Sequence, residues 1–270
     1  MNNLYEKNMI TNVDLKGLGE KLRDQYSQSQ PFPHSVIDGV FEDEVLDKVI
    51  SEFDSPEDNW HEFDTKYEKK FQKSDDKDLG PTAISVIQYM NSGSFLSFLE
   101  DITGIDCLIP DPYLVGGGLH KIEKGGKLGI HVDFNWHAKM RVFRRVNVIV
   151  YLNRDWNEDY GGHLELWDGS KCCSVEKISP IFNRMVIFNT TEKSYHGHPL
   201  PMDCPKSRSR KSLALYYYTA NQSGEQSSQS HSTLFLDKNN RPVELKNKRS
   251  SVLIRLFSLP LAIVKRIRSW

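Results

Sequence analysis

Arg145-Val-Asn-Val-Ile-Val-Tyr-Leu152 decides the fold. Six of these eight residues are apolar and four are β-branched, a composition that suits a pleated, half-buried strand. Alternate residues of a strand share a face, so Asn147, Ile149 and Tyr151 look the same way. The period of two extends in both directions from this stretch. It predicts strands over 117–122, 129–134, 145–152, 163–167, 174–178, 184–188, 194–198 and 212–219. Turn signals separate them, among them Glu123-Lys-Gly-Gly126, Tyr160-Gly-Gly162 and Asp168-Gly169. Many short strands at this spacing imply a β-sandwich, jelly roll or barrel.

Upstream the period is helical. Leu15, Leu18, Leu22 and Tyr26 recur at intervals of three and four after a candidate cap at Asp14. Ser27-Gln-Ser-Gln-Pro-Phe-Pro33 breaks that helix, and His34-Ser-Val-Ile-Asp38 reads as a short strand. Val45, Leu46, Val49, Ile50 and Phe53 mark a second helical face. Residues 81–102 read as two more helices, one carrying Ile84, Ile87 and Met90, the other Phe95, Phe98, Leu99 and Ile102. Between them lies a charge-rich stretch, 54–80, with Trp60, Phe63, Tyr67 and Phe71 at helical spacing. The expectation there is a helix edge packed on the core; a lid or substrate-contacting insertion is the alternative.

The 270 residues carry 35 Lys+Arg against 36 Asp+Glu, 38% hydrophobic and 26% charged residues. That is the composition of a globular protein with a real core. It argues against a disordered chain and a polytopic membrane protein, and gives no reason to expect a nucleic-acid partner. Cys107, Cys172, Cys173 and Cys204 have neither zinc-finger spacing nor a disulfide pattern. With no apolar leader over residues 1–10, the expectation is reduced thiols and a cytoplasmic setting.

His131-Val-Asp133 places an imidazole and a carboxylate on one strand face, just after a Gly-Gly turn. A second histidine cluster, Tyr195-His196-Gly-His198, follows later in the same β-rich region. Two imidazoles and one carboxylate can occupy one face of an octahedron. This 2-His-1-carboxylate arrangement favours non-heme Fe(II) and leaves three positions open. Arg210 opens the β run Ser212-Leu-Ala-Leu-Tyr-Tyr-Tyr-Thr219 and shares a strand face with Ser212. There an arginine suits bidentate capture of a far carboxylate. Arg208 has the same parity and is its rival, whereas Lys211 points the other way.

Taken together, these segments resemble the Fe(II)/2-oxoglutarate-dependent dioxygenases, specifically their prolyl-4-hydroxylase-like branch. The resemblance rests on His131-Val-Asp133, Arg145 to Trp156, Gly161-Gly-His-Leu-Glu-Leu-Trp167, Arg184-Met-Val-Ile-Phe188, Ser194-Tyr-His196 and Arg210 to Tyr216. It extends to Pro31-Phe-Pro-His-Ser-Val-Ile-Asp38 and so spans most of 31–220. It implies a mostly β, α+β fold with flanking helices around a double-stranded β-helix core (jelly roll, cupin-like). His131, Asp133 and His196 match the iron ligands, His198 being a rival for the distal place. Arg210 matches the 2-oxoglutarate anchor, and Tyr151 the tyrosine whose hydroxyl bonds the same carboxylate. Asn147, Ile149 and Leu164 are expected in that pocket, with Ser212 beside Arg210. His120 stands near the place of a usual tyrosine. It is either a co-substrate contact or supporting donor, or a satisfied core histidine.

The implied activity is hydroxylation of an unactivated C–H bond, with decarboxylation of 2-oxoglutarate to succinate and CO2. It uses dioxygen, and ascorbate stimulates it. Peptidyl proline is the substrate nearest to the resemblance; a small molecule, sugar or lipid-linked glycan is the alternative. A binding module without chemistry is the third reading, disfavoured by the complete ligand set. Trp60, Phe63 and Tyr67 would line an open groove for a peptide; a small substrate would need a closed pocket.

Three regions are expected. Residues 1–111 form an N-terminal helical and first-strand region packing on the core, 112–220 the dioxygenase core, and 221–270 a linker and basic amphipathic tail. From Arg241 to Trp270 there are eight Lys or Arg and one Glu. Val252 to Val264 is apolar but short and broken by Pro260. It either packs on the jelly roll or lies on an anionic membrane face, making the protein peripheral there.

Overall fold

The computed structural model describes residues 9–11, 14–53, 59–169, 173–221 and 230–245. The expected tail helix and most of the expected linker, together with Cys172, lie outside the described residues.

Four helices form where the helical period predicts them. α1 (Leu15–Gln28) starts at Asp14, whose side chain makes no capping bond. α2 spans Asp43–Ser51, and α3 spans Pro81–Met90 with proline in its first turn. α4 (Gly93–Thr103) is capped by the Ser92 hydroxyl, which accepts from the Phe95 amide, and ends at Gly104 in the left-handed region.

The strands run in chain order as β1 (His34–Asp38), β2 (His61–Asp64), β3 (Glu68–Lys73), β4 (Ile109–Pro110), β5 (Gly118–Ile122) and β6 (Lys127–Val132). β7 (Trp136–His137), β8 (Val142–Tyr151), β9 (Leu164–Asp168), β10 (Cys173–Ile178) and β11 (Arg184–Asn189) follow. The last are β12 (Ser194–His198), β13 (Arg210–Thr219), β14 (Leu234–Leu236) and β15 (Pro242–Glu244). All pair antiparallel in one curled sheet of order β1-β11-β8-β13-β5-β3-β6-β12-β9-β10. The result is a jelly-roll core in the form of a half-barrel, as the period of two implies. β3 carries the sheet round the curl, setting Gln72 opposite His120 on β5 and Glu68 opposite Leu128 on β6.

The two faces of β8 separate the core from the site. Val146, Val148 and Val150 point outward and pack with Leu213, Leu215, Met185 and Ile187 under the helices, against Phe95, Phe98 and Leu99. Tyr151 points inward with Leu164, Leu166, Val186 and Phe188, packed against half-buried Ile149. Each fully buried side chain of this size contributes about 1.5–3 kcal/mol by leaving water, so one strand anchors the helical layer and frames the cavity.

Two expectations need correction. The aromatic residues of 60–71 do not sit on a helix: Phe63 and Phe71 belong to the β2–β3 hairpin, whose register pairs His61 with Gln72. Their helical spacing is overridden by edge pairing, because β3 satisfies its backbone against β5 and β6. Part of the expected linker and tail is also sheet. β14 pairs with β6, Leu234 opposite Val132 and Phe235 opposite His131, and β15 closes the hairpin. Among the described residues no helix is long and apolar enough to cross a membrane.

Candidate active site

His131 lies near the end of β6, and Asp133 just beyond it. His196 is centred on β12, directly opposite His131 in the ladder. Gly197 makes this approach possible: a Cβ there would lie 2.7 Å from the Leu128 carbonyl oxygen and 2.8 Å from that of Gly129. Nε2 of His131 stands 3.5 Å from Oδ1 of Asp133, and Nε2 of His196 stands 3.5 Å from Oδ2. One ligand atom from each of the three lies within 4.8 Å of the others.

Both imidazoles are held in the tautomer a metal needs. Nδ1–H of His131 donates to the Gly129 carbonyl and Nδ1–H of His196 to the Ser194 carbonyl, each at 2.9 Å. The lone pairs are thereby left on Nε2, facing Asp133. Two nitrogens and one carboxylate with open positions suit ferrous iron, and the residues present fit it. His198 is not in this cluster, so the choice between the two distal histidines falls to His196.

Asp133 is pinned by two groups of β8. Asn147 Nδ2 donates to Oδ2 at 2.7 Å, and Arg144 Nη2 lies 3.1 Å from the same oxygen. Arg144 is 1% exposed. It also donates to Asn147 Oδ1 through Nε and Nη2, and its guanidinium lies 3.4 Å from the centre of the Tyr216 ring. Burial works against ionisation of Asp133, but Arg144, then His196 and His131, hold the carboxyl well below its usual range. Burial lowers His196 to about 4, partly offset by Asp133. Both groups are therefore in their ligating forms at neutral pH.

Arg144 escapes a reading by parity, because β8 is bulged. Val146 pairs with Tyr217 and Arg144 with Tyr218, leaving Arg145 as the extra residue. The bulge turns Arg144 to the side of Asn147, which strict alternation would deny it.

A cavity of about 370 Å³ opens over the triad. Of the residues expected in the pocket, Asn147, Ile149, Leu164, His120, Ser212 and Arg210 all line it. Tyr151 stands behind them, fully buried, with its hydroxyl oxygen accepting from Arg210 Nη2 at 3.0 Å. Arg210 Nε donates to the Gly162 carbonyl at 2.7 Å. Arg210 is 6% exposed and forms an ion pair with no carboxylate among the described residues. A buried, unpaired guanidinium is costly unless an anion completes it. Lys211 and Arg208 instead line a separate hollow with Arg154 and Trp156, which removes Arg208 as a rival.

His120 Nε2–H donates to the Gly116 carbonyl at 3.1 Å. Burial, with Lys70 and Arg210 nearby, lowers it to about 3. It is both a cavity wall and a bonded histidine. Other walls went unread in the sequence. Glu68, Lys70 and Gln72 come from β3, and Thr233 and Phe235 from the segment around β14. Phe235 packs on the His131 ring at 5.2 Å and stacks on Tyr67. Of the three aromatics expected along a groove, only Phe63 lines the cavity.

Residues 117–218 match the model of a family described as the 2OG-Fe(II) oxygenase superfamily. The chain is 28% identical over 217 residues to prolyl 3-hydroxylase OGFOD1 of Mus musculus. That alignment covers 74% of this chain and 37% of the mouse protein, so the chain spans well under half of that relative's length. Among solved structures, a prolyl-4-hydroxylase from Pseudomonas putida superposes with a TM-score of 0.55 at 15% identity, over 76% of this chain and 98% of that one. A prolyl hydroxylase from Trichoplax adhaerens, in complex with a hypoxia inducible factor peptide fragment, gives 0.54 at 19% identity, over 76% and 90%. At these identities the structural likeness is one of fold.

Proposed function

We infer that the chain, whose residues 117–218 match the model of the 2OG-Fe(II) oxygenase superfamily, is an Fe(II)- and 2-oxoglutarate-dependent hydroxylase, and we propose peptidyl proline as its substrate. One observation carries the reaction class: the His131, Asp133 and His196 ligand atoms converge in the same cavity that holds an unpaired, buried Arg210. The likeness to a prolyl 3-hydroxylase and to prolyl hydroxylase folds supports the substrate.

When bound, ferrous iron with 2-oxoglutarate and dioxygen supplies the oxidising power for C–H hydroxylation, at the cost of decarboxylation to succinate. The chain's residues supply the rest. His131, Asp133 and His196 would hold the metal. Arg144 and Asn147 engage Oδ2 of Asp133, which would leave Oδ1 available to the metal. Arg210, braced by Tyr151 and the Gly162 carbonyl, takes the far carboxylate of the co-substrate through charge-assisted bonds. Ile149, Leu164, Phe134 and Phe235 keep water out. We propose ascorbate stimulation with this chemistry.

The lining of the cavity by Phe63, Thr233 and Phe235 favours a second reading, a small molecule or glycan in place of a peptide. A succinate-release screen over proline peptides, free amino acids and glycans separates them. Turnover stimulated by proline peptides, with hydroxyproline in the product, supports the first; stimulation by glycans or free amino acids alone supports the second. We also propose a cytoplasmic setting with peripheral membrane contact through the basic segment beyond Leu245. The described cysteines are unpaired, in keeping with a reducing compartment. Truncation after Leu245 preserves the β14–β15 hairpin and should abolish pelleting with anionic vesicles; unchanged pelleting removes the membrane role.

A further inference from the structure

His198 ends β12, two residues after His196, and is 3% exposed. It lines the cavity, and neither of its ring nitrogens has a hydrogen-bond partner. Every other cavity imidazole is bonded to a carbonyl: His120 to Gly116, His131 to Gly129 and His196 to Ser194. An imidazole buried with both nitrogens orphaned is expensive. A partner supplied from the cavity removes that cost.

The surroundings say what the partner is. The cations that act on His198 are Arg210 of β13 and Lys70 of β3, and the third neighbouring group is the His131 imidazole of β6, so all three are basic side chains. Glu68 is the acid among the cavity residues of β3, and it is engaged by Lys70 at 3.3 Å. His120 of β5 and Ser212 of β13 complete this end of the cavity. Two of the Arg210 nitrogens are bonded, Nε to Gly162 and Nη2 to Tyr151, and Nη1 has no ion-pair or hydrogen-bond partner among the described residues. A ring N–H beside this guanidinium meets an anionic oxygen that both can share.

We propose that His198 is a co-substrate-binding residue, its ring N–H donating to the far carboxylate of a dicarboxylic 2-oxo acid held by Arg210. The proposal rests on the reading of the chain as a 2-oxoglutarate-dependent enzyme. It adds that the preference for a dicarboxylic over a monocarboxylic 2-oxo acid is set by Arg210 and His198 together. β12 supplies both ends: His196 at the triad and His198 two residues on line the same cavity, one suited to the metal and the other to the far end of the acid.

Calorimetric titration of the full chain loaded anaerobically with Mn(II) tests it, using 2-oxoglutarate and 2-oxobutyrate as probes. A hydrogen bond to a charged group is worth about ten-fold or more in affinity. The expected result for His198→Ala is therefore at least a ten-fold weaker 2-oxoglutarate affinity, with Mn(II) affinity and the weak 2-oxobutyrate affinity unchanged. In turnover the Michaelis constant for 2-oxoglutarate rises while kcat is kept. His198→Gln, which retains volume and an N–H donor, restores much of the loss and serves as the folded reference. Wild-type affinity for 2-oxoglutarate in both variants overturns the proposal. So does equal weakening of the two acids, or a fall in Mn(II) affinity. A wild-type chain that binds Mn(II) but no 2-oxoglutarate fails differently, since it overturns the proposed function and this assignment together.

Discussion

Arg144 and Arg210 are both arginines buried in one cavity, yet they have opposite tasks. Arg144 is compensated by Asp133 at 3.1 Å and stacks on Tyr216, whereas Arg210 has no carboxylate partner among the described residues and bonds to Gly162 and Tyr151. Replacing Arg144 by Met should free the Asp133 carboxylate and weaken metal affinity by about 10–100-fold, the range for partners of metal ligands. Mn(II) titration checks this, and an unchanged affinity would show that Asn147 suffices. Replacing Arg210 by Ala should raise the 2-oxoglutarate requirement by roughly 10–100-fold with metal binding retained. A variant with unaltered 2-oxoglutarate dependence would remove Arg210 as the anchor. His131 and Asp133 were legible because strand parity and residue chemistry place them together, whereas parity left Arg208 as a rival to Arg210 and only the cavity linings separate the two. Arg144 was hidden by the bulge at Arg145, since alternation cannot be carried through an unpaired residue.

At the level of elements, most strands between 117 and 219 were legible from period two, since most have a buried face; two-residue β7 was too short to show a period, and β10 is largely exposed. The β2–β3 hairpin was not legible. Its aromatics mimic a helical stripe, and what decides it is pairing with β5 and β6, distant in sequence. β14 and β15 have three residues each, too few to show any period, yet they bring Phe235 against His131. The β6–β12 ladder carries the metal geometry, and Gly197 permits it. Gly197→Ala should push β12 off the Leu128 and Gly129 carbonyls and separate His196 from His131. The expected outcome is a large loss of metal affinity, read by Mn(II) titration, in a chain whose circular dichroism still shows the β core. Retained affinity would mean that the ladder tolerates the extra methyl.

For the whole molecule, enclosing the site has a cost that depends on pH. Burial lowers His120 to about 3 and His196 to about 4, and lowers His198 well below its usual value. The unfolded chain protonates these rings near pH 6.5, while the metal-free fold keeps them neutral. Between about pH 6.5 and 4 the unfolded state thus binds more protons, and stability falls as pH falls. Each such ring contributes up to about 1.4 kcal/mol per pH unit. Urea unfolding of the metal-free chain at pH 7, 6 and 5 should show midpoints dropping in that order. A flat profile would mean that water reaches these rings.

The central claim is that one enclosed jelly-roll cavity binds ferrous iron through His131, Asp133 and His196 and a 2-oxo acid beside it. Anaerobic addition of Fe(II) and 2-oxoglutarate, followed by visible absorption, tests it most directly, because chelation of the metal by the keto acid gives a charge-transfer band. The account predicts a band in the wild-type chain that requires both additions and is lost in His131→Ala. A wild-type chain without the band, or a His131→Ala variant that keeps it, would contradict the account.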